Sequence, residues 1–250
     1  MSRDDNLIEK FYLETPSIER KDEIIDYVNE LVKYKSDING TGSLDKVLEG
    51  YTFEQALERC LNMQYEEYAN KLGRCPSKTF LLIRKNDNRI VGTINVRWNL
   101  TDKMKQFGGN IGYGIRPTER RKGYNKINLY LGLIEAKKIG LDKVMLDCDV
   151  KNLGSSKTME ALGGKLERTE IDPYDGILTS VYWINVDESL EKYKDEYVNF
   201  IDKNYEHKFM RWLKESDKYI DVLGYANDEW LLMINPIYIY RKDSELWTTN

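Results

Sequence analysis

From Ile111 to Ile115 apolar residues alternate with glycine, and this period of two predicts a strand. Pro117 has no N–H to give a ladder, so the strand ends at Arg116. Beyond it the period changes. Ile127, Tyr130, Leu131 and Ile134 fall at i, i+3, i+4 and i+7, the apolar stripe of a helix. Leu129, Leu133 and Ala136 widen the stripe, which predicts a helix buried on most sides, and Gly140 is a natural stop. A basic turn, Arg120-Arg121-Lys122-Gly123, joins strand to helix.

Upstream, residues 10–16 predict a first strand, and Ser17 is placed to cap a helix through Lys33 with Ile24, Ile25, Val28, Leu31 and Val32 on its apolar side. Thr52-Phe53-Glu54-Gln55 has capping-box spacing for a second helix reaching Leu72. Thr79–Lys85 and Arg89–Trp98 flank Asn86-Asp87-Asn88, a hairpin turn. Downstream, Lys143–Val150 is a strand with Asp147 and Asp149 on one face, unusual if the strand is interior because an unpartnered carboxylate is costly to bury. Asn152–Leu162 reads as a helix, and Lys165–Ile171 and Leu178–Val186 as the next strands. Composition then shifts to a charged helix, Glu188–Asp202, capped by Asp187. A helix at Lys208–Lys214 and a hairpin of Tyr219–Tyr225 with Trp230–Tyr240 follow.

A strand, a basic glycine-containing turn and a helix in that order can make an anion site. The first N–H groups of a helix lack internal partners and carry the positive end of the macrodipole. Arg120, Arg121, Lys122 and Lys126 add charge, and Gly123 lets the backbone approach a ligand. Taken alone, the turn reads equally as a solvated basic loop. Its context adds more. Arg120-Arg121-Lys122-Gly123-Tyr124-Asn125 resembles the R-x-x-G-x-G/A pyrophosphate loop of the GNAT N-acetyltransferase superfamily, after a strand end similar to Ile115-Arg116-Pro117. Downstream, Asn152, Ser155, Leu162 and Gly163 match that superfamily's N-x-x-[AS]-x-x-x-Y-x-x-L-G segment. Two residues depart from the pattern: Asn125 stands in place of Gly or Ala, and Met159 in place of a tyrosine general acid. A thioether cannot donate a proton.

The resemblance covers about residues 10–187. It implies an α+β fold, a mixed and mostly antiparallel central sheet flanked by helices over residues 1–187; residues 188–250 lie outside the resemblance and read as a small α+β appendage, either packed on the same chain or used in dimer contact. It also implies acetyl-CoA as co-substrate, held by the backbone around Tyr113–Ile115, by the Arg120–Asn125 loop and by Asn152. The early helices would border the acceptor cleft, making Tyr51, Glu54, Glu58 and Tyr65 acceptor candidates, with Asn95, Arg97 and Trp98 near the same end. Ordinary amphipathic surface is the plainer reading of each of the first four.

Asp147 is the preferred base, five residues before Asn152, a spacing similar to that of the glutamate base in ribosomal-protein alanine acetyltransferases; Asp149 is second. A structural ion pair is the alternative for Asp147. Tyr113, Tyr124 or water would protonate the leaving thiolate, unless the tyrosines only pack beside the cofactor. Cys148 has no histidine nearby in the motif region to activate it, which favours direct transfer over an acetyl-cysteine route. The acceptor is expected to be a primary amine of a small molecule or peptide. The alternatives are an acyl-CoA-binding regulatory module without turnover, and an interaction protein working through the appendage.

Composition narrows the field. The 250 residues are 41% hydrophobic and 32% charged, enough for a sizeable core. A net charge of −4 argues against general nucleic-acid affinity, since such domains are usually basic. His207 is the single histidine, which excludes a multi-histidine metal site. Three cysteines without metal spacing, a polar N-terminus and no apolar run near ~20 residues predict a protein of the cytoplasm rather than a membrane.

Overall fold

The computed structural model describes residues 11–197. The helix expected at Lys208–Lys214 and the hairpin expected at Tyr219–Tyr240 lie outside the described residues. Four antiparallel strands run in spatial order β1 (Phe11–Glu14), β2 (Ser77–Arg84), β3 (Arg89–Arg97) and β4 (Ile111–Ile115). The β2–β3 hairpin turns where expected, with Asn88 taking the left-handed conformation at φ 55° that asparagine tolerates. A second antiparallel sheet has the order β5 (Lys143–Asp149), β7 (Leu178–Asn185), β6 (Lys165–Ile171).

Helices cover both faces of the first sheet. On one side α1 (Lys21–Lys33) and α2 (Phe53–Asn62) bury Ile24, Tyr27, Val28, Leu31, Phe53 and Leu57 against Leu81, Ile83 and Ile90. On the other lies α5 (Tyr124–Ile139), with Ile127, Leu129, Tyr130, Leu133 and Ala136 all buried. Burial on both faces explains why β2 and β3 carry nearly continuous apolar runs. The buried helix expected after the basic turn is therefore present, and Gly140 stops it at φ 92°.

Several boundaries differ, each for a tertiary reason. Ser17 has the extended backbone of an N-cap but makes no capping bond with its side chain. A 3-10 turn, Ile18–Arg20, intervenes, because the Arg20 guanidinium is buried against Glu14, Glu23 and Asn88. Along α1, Tyr27 takes the buried place and Val32 is half exposed. The second expected helix breaks after Asn62 and resumes as α3 (Glu66–Lys71). At the break the Met63 carbonyl accepts from the Ser77 N–H at 2.9 Å, docking the turn onto the start of β2. The capping box at Thr52 and Gln55 forms as expected. A short α4 (Asp102–Gln106), begun by Thr101, fills the connector before β4.

The second sheet carries α6 (Leu153–Ala161) and α7 (Val186–Tyr197). Asn185 rather than Asp187 caps α7, its Oδ1 accepting from the Glu188 N–H at 3.1 Å, while Asp187 pairs with Lys137 at 2.6 Å. The helix docks through the Ser189 hydroxyl, which donates to the Leu162 carbonyl at 2.7 Å, and through Tyr130, whose hydroxyl donates to the Leu190 carbonyl at 3.4 Å. Strand β5 is not interior: it is an edge of its own sheet. Asp147 and Asp149 consequently face a cleft and not the core.

Candidate active site

Strands β4 and β5 meet near their starts and then part. Asn110 joins them, its N–H donating to the Met145 carbonyl at 2.7 Å and its Oδ1 accepting from the Met145 N–H at 2.9 Å. Alternate residues of an antiparallel strand face opposite edges. Arg97 N–H to Asn110 O at 2.7 Å and Arg116 N–H to Val91 O at 2.9 Å set the even positions of β4 against β3. The N–H and C=O groups of Ile111, Tyr113 and Ile115 therefore face the edge that β5 leaves open. A cavity of about 1350 Å³ occupies the gap, bordered by β4, β5, the starts of α5 and α6, and loops 34–39 and 172–177.

At one end of the cavity stands the N-terminus of α5. Gly123 is its N-cap at φ 83°, exposed, and a Cβ built there meets nothing within 4 Å. Two of the expected cations serve the turn itself. Arg120 donates from Nε to the Ile115 carbonyl at 3.0 Å and from Nη2 to Ser36 Oγ at 2.5 Å. Lys122 pairs at 2.7 Å with buried Glu119, which Arg84 also holds at 2.8 Å, and it does not line the cavity. Arg121 and Lys126 are exposed on the cavity wall, joined by Lys35 and Lys157. Tyr124 packs its ring on Phe11 at 4.7 Å and accepts from Arg84 at 3.5 Å. Asn125 donates from Nδ2 to Thr158 Oγ1 at 3.4 Å, and its buried Oδ1 has no hydrogen-bond partner among the described residues. Asn152 uses its Oδ1 in the α6 cap, accepting from the Ser155 N–H at 3.1 Å, which leaves its amide hydrogens for a ligand.

Along the middle of the cleft, the Tyr113 hydroxyl lies 2.8 Å from Ser155 Oγ. Burial raises its pKa well above the ordinary tyrosine range, so it keeps its proton. Burial likewise pushes the Cys148 thiol up to about 11, with Ser155 pulling it down and Asp147 and Asp149 pushing it up. A thiol in that state is a poor nucleophile at neutral pH.

At the far end, Asp147 is half buried and accepts a short hydrogen bond from the Gly108 N–H. Burial raises its carboxyl above the usual carboxylate range; the Gly108 N–H and the Arg97 charge pull it back, while Asp172 and Asp175 push it further up. Asp149 accepts from the Lys151 N–H at 2.8 Å, a local turn. Asp172, Tyr174 and Asp175 line this end, with Lys103 4.1 Å over the Tyr174 ring. In the sequence these residues only join the expected strands Lys165–Ile171 and Leu178–Val186. Their acidic and aromatic content was the one available signal, and only folding brings them beside Asp147.

The expected acceptor residues on the early helices do not reach the cavity. Tyr51, Glu54, Glu58 and Tyr65 are all exposed elsewhere, and Glu54 pairs with Lys21 at 2.7 Å. Of Asn95, Arg97 and Trp98, Arg97 alone lines it; Asn95 is buried and donates to Thr79 Oγ1 at 3.0 Å. Met159 is fully buried and does not line the cavity. A tyrosine there has to displace packed neighbours, so Met159→Tyr is expected to cost about 1–3 kcal/mol of stability without raising turnover. Thermal melting beside an activity assay checks this, and an unshifted melting point with faster turnover would contradict it.

Residues 30–165, more than half of the chain, match the family described as an acetyltransferase (GNAT) domain. A search of curated proteins by sequence finds no match. Among solved structures, the chain is similar to the ribosomal-protein-S5-alanine acetyltransferase from Vibrio fischeri, with 18% identity, 70% of this chain and 93% of that one covered, and a TM-score of 0.51. It is also similar to a chimera of the spermidine N-acetyltransferase SpeG from Vibrio cholerae and hSSAT, with 15% identity, coverage of 72% and 98%, and a TM-score of 0.50. At these identities the likeness concerns the fold. The family match falls on the parted strands and the glycine-capped helix described above, and by it the chain belongs to the GNAT acetyltransferase family.

Proposed function

We propose that the chain moves an acetyl group from acetyl-CoA to a primary amine of a small molecule or peptide by direct transfer. One observation carries this reading: the open edge of β4 runs from the N-terminus of α5 to Asp147, so an anion site and a carboxylate lie at the two ends of one groove. The residues fit acetyl-CoA. Free N–H groups at Gly123 and the start of α5, with Arg121 and Lys126, suit a pyrophosphate. The odd-numbered backbone groups of β4 suit the amides of a pantetheine arm, and Asn125 Oδ1 is a buried acceptor awaiting a donor. When bound, acetyl-CoA supplies an activated thioester.

In this reading Asp147, directly or through one water, takes the proton that frees the acceptor amine. The amine nitrogen attacks the thioester carbonyl carbon, the C–N bond forms, the nitrogen gives its second proton to water, the C–S bond breaks, and the sulfur leaves as thiolate. The protonated Tyr113 hydroxyl, or water, returns a proton to that sulfur, and backbone N–H groups of β4 stabilise the carbonyl oxygen as it gains charge. The Vibrio fischeri relative is named for a protein alanine and the SpeG chimera for spermidine, so both peptide and small-molecule amines occur among proteins of this fold. The free cysteines, Cys60, Cys75 and Cys148, agree with work in a reducing compartment.

A second reading, acyl-CoA binding without turnover, draws on Met159 standing buried where an acid is usual. Mass spectrometry of a pooled amine library incubated with the protein and acetyl-CoA separates the two. A product heavier by one acetyl group, with equivalent coenzyme A released, supports transfer. Saturable acetyl-CoA binding with no coenzyme A release across the library supports the binding module.

A further inference from the structure

We propose that Arg97 is the positioning residue for Asp147, acting through the Gly108–Gly109 turn whose N–H holds the carboxylate. The inference rests on the acetyl-transfer reading above, in which Asp147 is the base. Arg97 ends β3 beside the point where β4 and β5 part. Its backbone is tied twice to Asn110, through its N–H to the Asn110 carbonyl at 2.7 Å and through its carbonyl from Asn110 Nδ2 at 3.1 Å. Its Nε donates to Asn95 Oδ1 at 2.8 Å, and its Nη1 donates to the carbonyls of Gly108 at 2.9 Å and Gly109 at 3.2 Å. The guanidinium also lies against β4: a Cβ built on Gly112 would come within 2.5 Å of Nη2. From Gly108 the chain of contacts continues through its N–H to Asp147 Oδ2.

Among the described residues no carboxylate lies within ion-pair distance of this guanidinium. Arginine in a protein interior is normally paired, because an isolated charge is costly to desolvate. Here its charge is instead held by neutral carbonyls, at the cleft and near Asp147. Two consequences follow. The clamp on two successive carbonyls fixes where the Gly108 N–H points, and so where the carboxylate sits. The positive charge favours the ionised carboxylate, against burial and against Asp172 and Asp175 from the β6–β7 turn. The other charged and titratable groups around that end are Cys148 and Asp149 on β5, Tyr113 on β4, Lys103 on α4 and Tyr174 on the β6–β7 turn.

The test compares Arg97→Gln and Arg97→Lys in the full chain, with the best amine from the library as acceptor. For Arg97→Gln, kcat is expected to fall by about 10²-fold, the cost of misplacing a reacting group by about an ångström. The acid-side inflection of its kcat–pH profile should move to higher pH, and acetyl-CoA affinity should hold. Arg97→Lys keeps the charge but loses the Nε bond to Asn95 and the planar fork that aims Nη1 at the turn, so its inflection should stay near that of the parent while kcat recovers only in part. An unmoved inflection and full kcat in folded Arg97→Gln would overturn the proposal. So would equal loss of acetyl-CoA affinity and kcat, which marks a merely structural role. If Arg97→Gln does not fold, Arg97→Lys decides alone: parental kcat overturns the clamp, and a reduced kcat with an unmoved inflection supports it. Asp147→Asn keeps the two readings apart. Full activity there removes Asp147 as base, whereas a collapse there with no effect at Arg97 removes only this inference.

Discussion

Asp147→Asn is expected to lower kcat by about 10²–10⁴-fold, the usual range for losing a general base, with acetyl-CoA affinity nearly unchanged. The amide oxygen can still accept the Gly108 N–H, so the geometry of the turn should persist while proton transfer is lost. The same variant should be more stable than its parent at neutral pH. Burial raises the folded-state pKa of Asp147 above that of the unfolded chain. The native state then binds this proton more tightly than the unfolded state does, so stability declines as pH rises from the ordinary carboxylate range through the raised value. Above it the ionised group is a standing cost that asparagine avoids. The gain in melting temperature should be largest near neutral pH and disappear below the ordinary carboxylate range. Steady-state kinetics with calorimetry across pH measures both effects; full activity in the variant would eliminate Asp147 as base and leave desolvation and positioning as the main catalytic effects.

Gly123→Glu is expected to weaken acetyl-CoA binding by about 10²-fold or more. A carboxylate set beside a pyrophosphate costs several kcal/mol through like-charge juxtaposition, and about 2.7 kcal/mol is already two decades of affinity. The free protein should tolerate the change. A Cβ at this position meets no neighbour within 4 Å, so the steric cost is only that of a side chain at φ 83°, roughly 1–2 kcal/mol. A negative charge in the first turn of α5 returns part of it, about 0.3–1 kcal/mol, through the macrodipole. Gly123→Ala carries the φ cost without the charge and is the control. Titration calorimetry showing parental affinity in folded Gly123→Glu would remove this helix terminus from the site.

The groove was legible in the chain wherever local rules governed it. The alternation at Ile111–Ile115, the block at Pro117, the glycine at 123 and the apolar stripe from Ile127 foretold strand, turn and buried helix, and the structure has all three. The Thr52–Gln55 capping box was equally local and forms as read. Misreadings cluster where a distant partner intervenes. The second helix breaks at Met63 because its carbonyl is claimed by Ser77 on β2. Ser17 loses its capping role to a turn tightened by Arg20, whose partners include Asn88. The acceptor candidates Glu54 and Glu58 sit on a face of α2, and Tyr51 and Tyr65 just before α2 and α3, positions that pattern alone cannot aim.

The sequence by itself determined which residues can carry the chemistry: a glycine at the start of a helix, a carboxylate at position 147 and a non-donating Met159 are matters of residue type and spacing. Only the tertiary structure decided what each one meets. It separated β5 from β4, turning two carboxylates of a seemingly interior strand toward open space. It spent Lys122 on Glu119 and Arg120 on Ser36, leaving Arg121 and Lys126 on the cavity wall at the N-terminus of α5. It also brought Arg97 and Gly108 to Asp147 across three separate segments. Periodicity and propensity report the chain's near neighbours, over a turn or two. Proton affinity, charge pairing and the opening of a cleft are set by groups tens of residues away, and only burial and long-range hydrogen bonds decide which of those groups come together.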